Sequence, residues 1–233
     1  GHFSGYVGRF RRAMGSGDDD LDSGRQEADR IRQLLHELRT PITAVQGYAE
    51  VIQQQLFGPA PHEYRALAAA IAADAAFVLG GFEELDRLAR LETGAAELDQ
   101  GESDLASLAR RIEAQLAPVL ASREAALTID VAADESVTVP MDSEDAERLV
   151  WRLLATLGGG CTPTETLNGH LRVETDQARL VCDLPAALTE ADDVFSATAR
   201  PEIAAITAGA VGAGFALRLA RAEARAAGGD LFR

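Results

Sequence analysis

The chain has 233 residues, 47% of them hydrophobic, enough to bury one ordinary core or two small ones and too many for wholesale disorder. Its formal net charge is -15, with 37 acidic residues against 22 basic ones, all of them arginine. Such a surface repels phosphate backbones, so no nucleic-acid partner is expected.

Residues 1–12, "GHFSGYVGRFRR", read as a short β segment with aromatic residues and glycine punctuation. "MGSGDDDLDSG" follows and has a linker composition, which places a linker over 14–24. From about Arg25 the pattern becomes helical. Ile31, Leu35, Leu38, Ile42, Val45, Ala49, Ile52 and Leu56 alternate in steps of 4 and 3, the seam of a coiled coil or helical bundle. "FGPAP" then breaks the helix with one glycine and two prolines. A second stripe, Tyr64, Leu67, Ile71, Ala75, Val78, Phe82, Leu85 and Ala89, predicts another long helix ending near Gly94. Two long helices joined by a tight turn make an antiparallel hairpin over 25–94. A lone hairpin leaves apolar surface uncovered, so two copies pairing into a four-helix bundle, a homodimer, is the expected solution.

After Gly101 the texture changes. "DLASLARRIEAQLAPVLASREAA" is an amphipathic helix with Ser103 or Asp104 as its cap. "LTIDVAA" and "SVTVPMD" read as short strands around a turn. "SEDAERLVWRLLATLGGG" is a helix closed by glycines, "GHLRVETD" and "ARLVCDLP" form a hairpin pair, and "GFALRLARAEARAAGGD" is a last helix. The expected architecture is multi-domain α and α+β: the hairpin, then an α/β sandwich over 103–233 with helices covering one face of a mixed sheet. Cys161 and Cys182 fit no metal spacing and read as free thiols in a reducing compartment. No apolar run reads as a bilayer span and no signal peptide is visible.

Chemistry concentrates in "LLHELRTPITAVQGYAE". On a helix, His36 lies beside the apolar stripe and faces water. Glu37 adjoins it, and Thr40 sits one turn on along the same face. Pro41 has no N–H, so the carbonyl of Glu37 loses its partner and a bend is expected. A solvent-facing imidazole is a nucleophile at neutral pH. A neighbouring carboxylate can orient one ring nitrogen and take its proton while the other attacks. A surface histidine on a dimerising helix is the alternative that these residues alone leave open.

The run His36-Glu37-Leu38-Arg39-Thr40-Pro41, with the helix–turn–helix around it, resembles the H-box of sensor histidine kinases of two-component systems. The resemblance implies that His36 accepts a phosphoryl group and passes it to an aspartate on a response-regulator receiver domain. It makes Glu37 the general base and Thr40 the residue that positions hydrolytic water in a phosphatase mode. Residues 103–233 resemble the family's ATP-binding domain, a Bergerat-type fold, and residues 1–13 resemble the tail of a PAS sensory domain. ATP and magnesium are the implied cofactors. The resemblance places the chain in the cytoplasm, with membrane tethering open for the full-length protein.

The nucleotide motifs depart from the family pattern. Arg152 and Thr156 stand where the N-box supplies asparagines, and the chain's single asparagine, Asn168, lies outside that helix. Thr156 offers a hydroxyl, but Arg152 cannot ligate a cation. Asp183 matches the aspartate that reads adenine, yet Pro185 and Ala187 replace the glycines after it. Gly209, Gly212 and Gly214 keep the spacing of the phosphate-side glycine loop ahead of a helix. No metal site of protein ligands alone is expected. The leading expectation is a dimeric kinase that autophosphorylates on His36. The alternative is a pseudokinase of the same ancestry, a histidine phosphotransferase or regulator phosphatase without ATP use. A non-catalytic dimeric scaffold is the third.

Overall fold

The computed structural model describes residues 17–96, 98–99, 101–131, 136–174, 177–189, 193–196 and 212–233, with side chains from Asp29 onward. The aromatic segment 1–13 and Gly209 lie outside them.

Two helices, α1 (Gly17–Gln53) and α2 (His62–Glu92), form the hairpin. α1 begins at Gly17, so most of the segment expected as a linker is helix instead. α1 continues as helix through Pro41. The reversal uses left-handed backbone at Gln55 (φ 57°) and Gly58 (φ 125°). Gln55 stabilises it further, its side chain accepting from the Ala60 amide at 3.2 Å. Thr93 ends α2 by donating to the Ala89 carbonyl at 2.8 Å, and Gly94 supplies φ 66° beyond it.

Leu35, Ala49, Ala68 and Ala75 of the two arms are buried, and the three alanines are small enough to allow close approach. Ile31, Leu38, Val45 and Ile52 of α1, and Tyr64, Leu67 and Ile71 of α2, stay exposed on the single chain. α2 corrects one expectation: it holds an 18-residue window of mean hydropathy 1.6, long and apolar enough by composition to cross a bilayer. Its alanines raise that value, and the helix serves here as a hairpin arm.

The α/β unit comprises β1 (Ser103–Asp104), α3 (Leu105–Ala121), β2 (Ala126–Asp130), β3 (Thr138–Val139), α4 (Ser143–Gly159), β4 (Thr166–Glu174), β5 (Gln177–Cys182), α5 (Ala186–Thr189) and α6 (Ala213–Ala226). The main sheet has order β2–β4–β5. β2 runs parallel to β4, and β5 antiparallel to it, so the expected mixed sheet and the β4–β5 hairpin are present. β3 does not pair with β2 across a turn, as its sequence suggested. It pairs with β1, Ser103 opposite Val139. Asp104 draws it there: its carboxylate caps α3 by accepting from the Ala106 amide at 3.1 Å and also accepts from Val137 at 2.8 Å.

Ile112, Leu116 and Leu120 of α3 pack against Leu154 and Leu157 of α4, over Leu127, Ile129 and Leu167 of the sheet. Cys161 is buried and Cys182 half-buried; both are free. Burial pushes both thiols up to about 11, leaving them protonated and poorly nucleophilic near neutrality.

Candidate functional site: an exposed histidine and the residues expected to meet nucleotide

His36, Glu37, Arg39 and Thr40 all lie on the exposed surface of α1. His36 follows Leu35, which faces α2, so the helix turn that buries the leucine carries the imidazole into water. The Glu37 carboxylate accepts from the Gln33 amide at 3.1 Å, one turn earlier. Gln33 escaped the sequence reading, although an i,i+4 partner to an acid is a findable signal. Glu37 is thus held on the face that carries His36 and Thr40.

The residues expected to meet nucleotide are differently engaged. Thr156 is 1% exposed on α4, and its hydroxyl has no hydrogen-bond partner. Arg152, one turn earlier, donates to Glu223 of α6 at 3.3 Å and lies 3.8 Å from Glu84 of α2. Asp183 is exposed and accepts from both the Asn168 amide (3.0 Å) and the Asn168 side chain (2.9 Å). These hydrogen bonds, side chain first, hold its carboxyl below the usual carboxylate range.

The stretch after Asp183 is built into the fold. Pro185 is buried, and a Cβ on Gly160 would come within 3.1 Å of its ring. Leu188 belongs to the main core at 0% exposure. The Ala186 amide donates to Glu165 at 2.8 Å, and the same carboxylate accepts from Thr162 at 2.7 Å. Gly212 caps α6 with φ 86°, a conformation that needs glycine. Gly212 is half-buried, and Ala213 and Gly214 behind it are buried.

Magnesium nucleotide does not fit this set. A cation would meet the Arg152 guanidinium beside one buried hydroxyl, and the segment that would have to admit a base is packed by Pro185 and Leu188. Among the described residues no cluster of three or more His, Cys, Asp or Glu could hold a metal ion.

Sequence reasoning also missed a second cluster. Arg87 of α2 donates to Glu223 at 2.6 Å and to Asp145 of α4 at 3.0 Å. Arg148 pairs with the same Asp145 at 2.5 Å. Burial works to raise the Asp145 carboxyl, but Arg148 and Arg87 outweigh it and hold it low. For Glu84, burial dominates and raises the carboxyl despite Arg152.

An exposed histidine with an adjacent acid thus lies on a helical hairpin that is followed by this α/β unit. Residues 26–94 match the profile of the His Kinase A (phospho-acceptor) domain, and the chain is similar in sequence to sensor histidine kinases. It is 29% identical over 206 residues to the probable sensor histidine kinase TcrY of Mycobacterium tuberculosis, covering 84% of this chain and 42% of that one. It is 28% identical over 90 residues to the cell-division control histidine kinase PdhS of Brucella canis, covering 35% of this chain and 9% of that one. The chain therefore spans less than half the length of either. Its fold is similar to that of full-length ShkA in complex with AMPPNP, with TM-score 0.64 and 18% identity, over 85% of this chain and 41% of that one. It is also similar to the Acinetobacter baumannii histidine kinase AdeS, with TM-score 0.52 and 22% identity, over 82% and 86%.

Proposed function

We propose that this chain carries phosphate on His36 without using ATP of its own: a histidine phosphotransfer unit that exchanges phosphate with a response-regulator receiver aspartate. Its α/β unit is a retired ATP-binding fold. The observation that carries this reading is the closed stretch after Asp183, with Pro185 against Gly160 and Leu188 in the core. Arg152 points the same way, since its charge is spent on Glu223.

In the transfer step, the His36 ring attacks the phosphorus of an aspartyl phosphate. The P–O bond to the aspartate breaks, the carboxylate leaves, and an N–P bond forms. The proton on the other ring nitrogen passes to Glu37, which Gln33 anchors. Thr40, one turn along, positions water when the regulator is dephosphorylated instead. The unit works in the cytoplasm as a homodimer through residues 25–94, whether or not a longer chain tethers it to a membrane.

Incubation with a phosphorylated receiver is the test. Wild-type chain is expected either to take acid-labile, base-stable label or to hasten loss of phosphate from the receiver, and His36→Ala is expected to lose the label. Two features favour a self-phosphorylating kinase: the unpartnered Thr156 hydroxyl and the glycine cap of α6. γ-labelled ATP with magnesium decides between them. Label on wild type that is absent from His36→Ala would overturn the phosphotransfer reading. Engagement with neither donor would leave a scaffold.

A further inference from the structure

We infer that Arg87, Asp145, Arg152 and Glu223 form an ionic latch that holds the α/β unit in one docked position against the hairpin stem, and that Arg87 is the residue on which this docking depends. The inference rests on the reading above in one respect only, that Arg152 serves the fold and not a cation.

Glu223 is 1% exposed, and its two oxygens face guanidinium groups from different parts of the molecule. Oε1 accepts from Arg87 on the hairpin at 2.6 Å, and Oε2 from Arg152 within the α/β unit at 3.3 Å. Arg87 forks, its other arm reaching Asp145 at 3.0 Å. Asp145 also accepts from the backbone amide of Asp99 at 3.4 Å, so the connection between α2 and β1 is tied to the same carboxylate. Arg152 returns the contact to the hairpin through Glu84 at 3.8 Å. Beneath these charges Leu88 and Leu91 of α2 pack on Phe215 and Leu219 of α6.

The apolar contacts favour docking, and the charges make it specific. A buried ion pair gains little over separated, hydrated ions, but removing one partner strands the other. Arg87→Ala leaves Glu223 short of one donor and Asp145 short of another in the docked state. Undocked, both carboxylates meet water and are indifferent to the substitution. The variant therefore shifts the equilibrium toward the open arrangement.

Hydroxyl-radical footprinting reads the interface directly. In Arg87→Ala, and in Glu223→Gln as a second variant, oxidation of Phe215, Leu88 and Leu91 is expected to rise at least about threefold, as local opening exposes them. Oxidation of Trp151, packed against the main core, is expected to stay unchanged. Arg111→Ala, which removes an exposed pair with Glu147 within the α/β unit, is expected to change neither. Unchanged interface oxidation in Arg87→Ala would overturn the latch. So would a rise shared by Trp151, which would make Arg87 a general stabiliser. Neither result depends on whether ATP labels His36.

Discussion

At the scale of the residue, Arg152 does much to support the proposal that this chain does not use magnesium nucleotide. A guanidinium has five donors and no lone pair for a cation. Its charge is used inside the protein, on Glu223 and toward Glu84. Arg152→Asn tests whether ligand chemistry alone is missing. The carboxamide restores an oxygen, but it leaves the buried Glu223 with Arg87 as its one guanidinium partner. Stability is expected to fall by about 1–3 kcal/mol, the cost of an under-satisfied buried charge, read from chemical denaturation followed by Trp151 emission. Calorimetry with an ATP analogue and magnesium is expected to show no heat in this variant, because Pro185 and Leu188 still fill the segment after Asp183. Binding by Arg152→Asn alone would make the charge, and not the packing, the obstacle.

At the scale of the element, legibility in the sequence follows from periodicity. Both hairpin arms, α4 and the β4–β5 pair repeat their apolar residues often enough to fix type and face. His36 is readable for the same reason, since its offset from Leu35 and Leu38 decides that it meets water. β3 is two residues long, too short to carry a period, so its sequence points to the wrong partner. The charge cluster is hidden differently: Arg87 and Glu223 stand 136 residues apart, and neither charge is unusual locally. Asp104 is readable as a cap but not as the tether that redirects β3. Asp104→Ala is expected to cost about 1–2 kcal/mol through removal of the helix cap, and it also deprives the Val137 amide of its acceptor. The hydrogen bond from Ser107 depresses the Asp104 carboxyl most; burial opposes it, and the Val137 and Ala106 amides reinforce it. A depressed folded value means this stabilisation is present above the ordinary carboxylate range and is lost as pH falls through the folded one. The gap in urea midpoint between wild type and Asp104→Ala is therefore expected to hold at pH 7 and to narrow below about pH 4.

At the scale of the whole molecule, the hairpin divides its heptad positions between two seams. Leu35 and Ala49 face α2 within the chain. Ile31, Leu38, Val45 and Ile52, each seven residues from the next, remain exposed, and Tyr64, Leu67 and Ile71 continue the apolar surface on the other arm. A stripe of that regularity, long enough to run the length of a helix, supports the proposed bundle with half its helices supplied by a second copy. His36 falls on neither seam, so pairing covers the aliphatic residues and leaves the imidazole in water. Sedimentation equilibrium is expected to give twice the 24.7 kDa chain mass for the wild type. Val45→Glu places a charge at the middle of the free seam, where its partner copy would bury it against an identical charge across the symmetry axis. It is expected to shift the protein to monomer at micromolar concentration, while Gln54→Glu, exposed beside the hairpin turn, is expected to leave the dimer intact. A Val45→Glu chain that still sediments as a dimer would move the contact off this stripe, and the exposed apolar seam would then need a different partner.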